Sequence, residues 1–147
     1  LMSEITAAIL LPQIERLDDS IEARRFIAQE YCGILNDLNE HRVLVQPGDI
    51  EHSALYKLPM RVDDGYDVRA IVQYLARSGI ESGALYSPAA YQQPAVVAVL
   101  GAQSFPVADR VLKQQLCLPF HPGLDPATIT MIVRTLRRAL DVQESGA

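Results

Sequence analysis

The chain has 147 residues, of which 49% are hydrophobic, 21% charged and 6% aromatic, the proportions of a folded globular domain rather than a disordered polypeptide. Lys plus Arg number 13 against 18 Asp plus Glu, a formal net charge of -5, so no broad positive field exists to gather phosphate backbones and nucleic acid is not an expected partner. A membrane span is also excluded, because the longest uncharged run, residues 82–108, is broken by Gly83, Pro88, Pro94, Gly101 and Pro106, whereas a lipid-crossing helix needs about 20 consecutive apolar residues.

The opening third reads as helix. Ser3 and Glu4 offer a capping oxygen and a carboxylate for a first turn of helix over residues 3–11, which Pro12 is expected to kink or break. From Ile14 the apolar positions Ile14, Leu17, Ile21, Ala28, Tyr31, Leu35 and Leu38 fall three and four apart, with Arg24 in one slot, which predicts a long amphipathic helix. The chain then turns polar over residues 36–48. A short strand at Val43–Val45 is compatible with it, and Gln46-Pro47-Gly48-Asp49 signals a loop.

Ala54, Tyr56, Leu58, Met60 and Val62 alternate with their neighbours, the period of a strand over residues 53–62 with one buried face, and Pro59 points to an edge position. Asp67 caps a helix carrying Val68, Ile71, Val72 and Leu75, closed by Gly79 as a left-handed cap. A second strand is predicted over residues 80–86. Residues 87–94 form a proline-bounded loop, and residues 95–100 admit either a buried helical turn or a strand, with helix preferred. Ser104 and Pro106 open a helix with Val107, Ala108, Val111 and Leu112 inward, and residues 116–118 read as a third strand. In the last helix Asp125 caps, Pro126 takes the first position, Ile129, Ile132, Val133, Leu136 and Leu140 face inward, and Arg134, Arg137 and Arg138 crowd its negative end. The fold class is α+β: a small mixed or antiparallel sheet of about three strands, covered by helices, in one domain over residues 1–147.

A self-contained active site is not legible. No Gly-rich phosphate loop, Ser-centred elbow or metal-spaced cluster occurs, and His41, His52 and His121 are scattered. Cys32 and Cys117 are far apart in sequence, with the pattern of buried thiols rather than ligands. Lys57 and Lys113 are the lysines, and each is expected to keep its ammonium in water rather than serve as a buried reactive amine. Secretion is not indicated, a reducing cytoplasm is the expected compartment, and the initial Leu1 in place of Met reads as a chain cut from something longer. The loop Tyr86-Ser87-Pro88-Ala89-Ala90-Tyr91-Gln92-Gln93-Pro94 carries two phenols and two amides. Such groups bind sugar hydroxyls without adding charge; the alternative is a surface loop whose tyrosines pack on the core. For Leu118-Pro119-Phe120-His121-Pro122-Gly123 a rigid connector is favoured over a ligand site.

Five blocks in order resemble one family. They are Met2-Ser3-Glu4-Ile5-Thr6-Ala7-Ala8 with Gln13-Ile14-Glu15-Arg16-Leu17-Asp18 and Arg24-Arg25; Ser78-Gly79-Ile80-Glu81-Ser82-Gly83; Tyr86-Ser87-Pro88; Phe105-Pro106-Val107-Ala108-Asp109-Arg110; and Leu116-Cys117-Leu118-Pro119-Phe120-His121-Pro122-Gly123-Leu124 before the last helix. Over nearly the whole chain they are similar to the C-terminal domain of the DegT/DnrJ/StrS sugar aminotransferases.

The resemblance implies the small domain of the aspartate-aminotransferase-like fold, from a usually homodimeric pyridoxal-phosphate enzyme that moves an amino group from glutamate to a nucleotide-linked keto-sugar. In that family the cofactor is held by a lysine of an N-terminal large domain, so this chain is expected to hold no cofactor, to lack catalytic residues and to be inactive alone. Tyr86 and Tyr91 are the substrate-binding residues it implies. Tyr86 matches the tyrosine of the family's His-Tyr-Pro stretch, with Leu85 and Ser87 as its flanks here, and Tyr91 stands near a position where members often have histidine. The family's Asn-aromatic-Arg run survives at most as Leu1, which cannot replace a guanidinium. The competing expectation is a stand-alone binding or oligomerisation module that kept the fold without the catalysis; either form is expected to self-associate.

Overall fold

The computed structural model of the protein describes residues 2–45 and 50–145. The expected loop at Gln46-Pro47-Gly48-Asp49 and the Leu1 position therefore lie outside the described residues. Among the described residues, six α-helices and three strands follow one another as α1 (Glu4–Glu15), α2 (Leu17–Asp37), β1 (Val43–Val45), β2 (Pro59–Val62), α3 (Val68–Arg77), α4 (Pro94–Leu100), α5 (Pro106–Gln114), β3 (Gln115–Cys117) and α6 (Pro126–Ser145). The α+β class holds, and the sheet is antiparallel throughout in the order β1-β2-β3.

Register fixes which face of the sheet is dry. Val43 sits opposite Val62, and Val45 opposite Met60, which in turn faces Leu116. These residues point into one core cluster shared with Ile27, Tyr31 and Leu35 of α2, Ile71 and Leu75 of α3, and the inner face of α6. Helix α6 packs against both α2 and α3, and the residues expected to face inward on it, Ile129, Ile132, Val133, Leu136 and Leu140, are all buried. Each such side chain withdrawn from water stabilises the fold by about 1.5–3 kcal/mol. On the other face, Leu44, Arg61 and Gln115 form the neighbouring row.

Several expectations change. Helix α1 continues through Pro12 to Glu15, and the break falls at Arg16 (φ -101, ψ 10), whose Nε donates to the Pro12 carbonyl at 3.1 Å. Proline removes one helical donor without obliging the chain to stop. The stripe splits accordingly: Ile14 and Leu17 are exposed, whereas Ala28, Tyr31 and Leu35 are buried. The strand expected over residues 53–62 is only β2. Leu55 takes a left-handed backbone (φ 45) while its N–H bonds Ser53 Oγ, which ends the alternation before Lys57. Pro59 is not on an edge strand: β2 is central, and the proline is tolerated there as its first residue.

The strand expected over residues 80–86 reduces to one bridge between Gly83 and Cys117. The ladder stops there because the Leu85 N–H is taken by the Gln115 side chain at 2.6 Å rather than by backbone. The third strand sits at Gln115–Cys117, one residue earlier than expected. Residues 95–100 are helical as preferred, but no residue of α4 is buried. In α5, Val107 and Val111 face water while Ala108 and Leu112 are half-buried, because the helix presents its 108/112 face and buries Gln114, whose Nε2 donates to Asp64 Oδ1 at 2.8 Å. Helix α6 runs on to Ser145, since residues 139–145 contain neither Gly nor Pro, and Arg134, Arg137 and Arg138 lie in its middle rather than at its end. Cys117 is buried as expected; Cys32 is only half-buried.

Candidate functional site

The polar loop is positioned by the free edge of β3. Gly83 N–H donates to the Cys117 carbonyl at 3.0 Å and Cys117 N–H to the Gly83 carbonyl at 2.6 Å. With the Leu85–Gln115 bond, these fix the chain immediately before Tyr86. Tyr86 then adopts φ 54, a left-handed backbone uncommon for a residue with a Cβ. Its side chain is 79% exposed, and its hydroxyl makes no hydrogen bond among the described residues.

Beyond a cis Ser87-Pro88 peptide, the loop folds on itself. Ala89 N–H donates to Gln92 Oε1 at 3.1 Å, Gln93 Nε2 donates to the Pro88 carbonyl at 3.1 Å, and a 3-10 turn covers Ala90–Gln92. Tyr91 turns inward to α5: its ring meets Phe105 edge to face at 4.8 Å between centroids, and its hydroxyl donates to Asp109 Oδ1 at 2.6 Å.

Asp109 gathers four donors from both sides. Oδ1 accepts from the Tyr91 hydroxyl and from Gln92 Nε2 at 3.3 Å, and Oδ2 accepts from Ser104 Oγ at 3.2 Å and the Phe105 N–H at 3.1 Å. The Tyr91 hydrogen bond, helped by those from Phe105 and Ser104, holds the Asp109 carboxyl below the ordinary aspartate range, and the same bond raises the Tyr91 phenol. Asp109 falls within the Phe105–Arg110 block of the sequence, where its role is not legible. The signal was present: Phe105 stands at a helix N-cap with no side-chain oxygen to offer, and a carboxylate follows within the first turn.

The structure thus separates the two tyrosines read from the sequence: Tyr86 presents its phenol to solvent, and Tyr91, half-buried, commits its hydroxyl to Asp109. Lys57 precedes β2 rather than lying on an edge strand, half-buried with Nζ 5.9 Å from the centroid of the exposed Tyr56 ring; Lys113 is exposed in the last turn of α5. His121 Nδ1 accepts from the Gly123 N–H at 3.2 Å, a local turn bond. Among the described residues no group of His, Cys, Asp and Glu is arranged to hold a metal.

Two open grooves lie elsewhere. One, of about 540 Å³, runs along α2 between Asp18, Glu22, Arg25, Phe26 and Glu51. The other, of about 440 Å³, lies between Tyr74 of α3 and Arg138 and Asp141 of α6. Neither is lined by a lysine or by the two loop tyrosines.

Comparison with known proteins supplies the remaining context. A sequence model of the DegT/DnrJ/EryC1/StrS aminotransferase family matches residues 1–137. The chain is 30% identical over 135 residues to the Pseudomonas aeruginosa UDP-2-acetamido-2-deoxy-3-oxo-D-glucuronate aminotransferase, covering 92% of this chain and 36% of that protein. Helicobacter pylori PseC, an aminotransferase of pseudoaminic acid biosynthesis, superposes with a TM-score of 0.84 at 18% identity, over 96% of this chain and 38% of that one. A Streptococcus pneumoniae protein assigned as a sugar aminotransferase, in its PLP-form, gives a TM-score of 0.82 at 22% identity, over 97% of this chain and 36% of that one. The chain spans little more than a third of the length of the curated relatives it matches, and no described helix is long and apolar enough to cross a membrane.

Proposed function

Because this chain belongs to the DegT/DnrJ/EryC1/StrS aminotransferase family, we propose that it is the C-terminal part of an enzyme transferring an amino group from glutamate to a nucleotide-linked keto-sugar. The observation that carries this reading is the family match across residues 1–137, joined to the fact that this chain spans little more than a third of the relatives' length. The similar Pseudomonas protein is named for a UDP-linked 3-oxo sugar, which fits the substrate class.

On this reading the pyridoxal phosphate and the lysine that holds it belong to the remainder of the protein, in a large N-terminal domain, and this chain is one domain that cannot turn over alone. Bound pyridoxal phosphate supplies the electron sink for amino transfer. This chain supplies part of the wall around the sugar: the Tyr86 phenol, exposed at the head of its loop, can donate to and accept from sugar hydroxyls, while the Tyr91 ring supports the loop from beneath. The setting we infer is a cytoplasmic homodimer, with no nucleic acid or membrane partner.

The reading is tested by incubating the purified chain with pyridoxal phosphate, reducing with borohydride and mapping any modified lysine by mass spectrometry. Substoichiometric, non-selective labelling is expected. One complete, selective adduct at Lys57 or Lys113 would overturn the assignment of the cofactor lysine to another part of the protein.

A further inference from the structure

The chemistry of the Asp109 contacts extends the proposed function, on which this inference rests. We propose that Asp109 is a positioning residue for the sugar half of the reaction, holding the loop that presents Tyr86 in one place while taking no part in the glutamate half.

A carboxylate is the side chain that accepts on two oxygens without donating on either. Asp109 uses both. Oδ1 holds the middle of the loop through Tyr91 and Gln92, and Oδ2 holds its far end through Ser104 and the Phe105 N–H. The near end is pinned independently by the paired Gly83 and Cys117 backbones. Between these anchors the segment has little core of its own: α4 buries no residue, and Val99 and Leu100 are exposed. Its position therefore depends heavily on polar contacts beside the Tyr91–Phe105 ring contact, and Asp109 is the group whose hydrogen bonds reach both the middle and the far anchors. A loop held this way adjusts what it presents to a substrate without altering the core of α2, α3 and α6.

Asparagine in that place has a single acceptor oxygen: with that oxygen on Ser104 and the Phe105 N–H, its N–H₂ can still donate to the Tyr91 hydroxyl but opposes the Gln92 amide, and with the group reversed its N–H₂ opposes the Phe105 N–H, so either orientation weakens one anchor. Asp109→Asn is thus expected to release the middle or the far end of the loop, and Asp109→Glu, which restores both acceptors, to recover much of the effect.

Two measurements decide the matter. Hydrogen exchange on this chain is expected to show residues 86–105 exchanging about tenfold faster in D109N, with α6 protection unchanged and partial recovery in D109E. Unchanged exchange in the loop overturns the proposal; loss of α6 protection as well assigns Asp109 a general structural role and also overturns it. In the complete enzyme with its cofactor, D109N is expected to lower kcat/KM for the keto-sugar about ten- to hundredfold, mainly through KM, and to leave the glutamate half-reaction as it was. Tyr86→Ala separates this proposal from the reading beneath it. If Y86A leaves the sugar KM unchanged, the loop is not the sugar wall and both fall; if Y86A raises that KM and D109N does not, only the role of Asp109 falls.

Discussion

Tyr31 of α2, fully buried, donates its hydroxyl hydrogen to the Pro119 carbonyl at 2.8 Å and so ties the long helix to the segment just after β3. Proline has no N–H of its own, and its carbonyl here is served by a side chain from far earlier in the chain. Burial pushes the Tyr31 phenol well above its ordinary value, so it stays a neutral donor at any ordinary pH. Tyr31→Phe keeps the packing and strands the carbonyl; it is expected to cost about 1–3 kcal/mol in urea unfolding with an unchanged slope. Tyr31→Ala, which also empties the site, should cost about 3–5 kcal/mol.

The second tie is electrostatic. Glu40, buried just before β1, receives three Arg42 hydrogen bonds, from Nε at 2.7 Å, Nη2 at 2.6 Å and the backbone N–H at 3.1 Å, and Arg42 reaches on to Asp141 at 2.9 Å and Glu144 at 3.1 Å on α6. Burial alone would raise the Glu40 carboxyl, but the Arg42 bonds and charge outweigh it and hold it below its ordinary 4.5. A depressed carboxylate stabilises the fold fully above its unfolded value and loses that contribution as pH falls through the folded one. Unfolding free energy should therefore decline below about pH 4.5 in the wild type. Glu40→Gln should show a shallower acid decline, and at pH 7 should be about 1–3 kcal/mol less stable. Equal acid slopes in the two proteins would remove Glu40 from this account.

How far the sequence could be read depended on whether the deciding contact was local. Helix α6 was legible because Asp125, Pro126 and the inward residues all lie within one periodic segment, and Asp125 Oδ1 does accept the Thr128 N–H at 2.8 Å. The sheet's membership was not. Strands of three and four residues contain too few alternations to be told from irregular chain, and the failure of residues 80–86 as a strand was settled by Gln115, 30 residues away. The polar loop was visible by composition, yet the division of labour between Tyr86 and Tyr91 depended on Asp109, whose partnership with Tyr91 spans 18 residues. Propensity cannot see such pairings.

Glycine offers a matched pair of tests. Gly79 has φ +77 at the end of α3, where its N–H bonds the Ala76 carbonyl and the Ile80 N–H bonds the Leu75 carbonyl, both at the distances of a closed helix end. A Cβ there meets nothing within 4 Å, so the penalty is purely conformational, and Gly79→Ala should destabilise by about 1–2 kcal/mol. Gly33 lies inside α2, also with open space for a Cβ. Gly33→Ala should stabilise by about 0.5–1 kcal/mol through helix propensity. Thermal melts of both variants against wild type should move in opposite directions.

Helix α1 carries the last prediction. It is apolar around its circumference, with Ile5, Ile9, Leu11 and Ile14 each more than half exposed and no residue buried. A helix of that composition belongs inside a larger protein body, because in water it leaves a continuous apolar surface of the kind that associates. The chain on its own is therefore expected to self-associate through α1, and light scattering should give a mass above that of one chain, rising with concentration. Ile5→Glu, Ile9→Glu and Ile14→Glu together should restore a monomer. Their effect on the unfolding of the α2, α3 and α6 core should stay within about 0.5 kcal/mol, since none of the three side chains reaches it. A wild-type chain that scatters as a clean monomer at high concentration would show that the apolar helix finds its cover within its own fold.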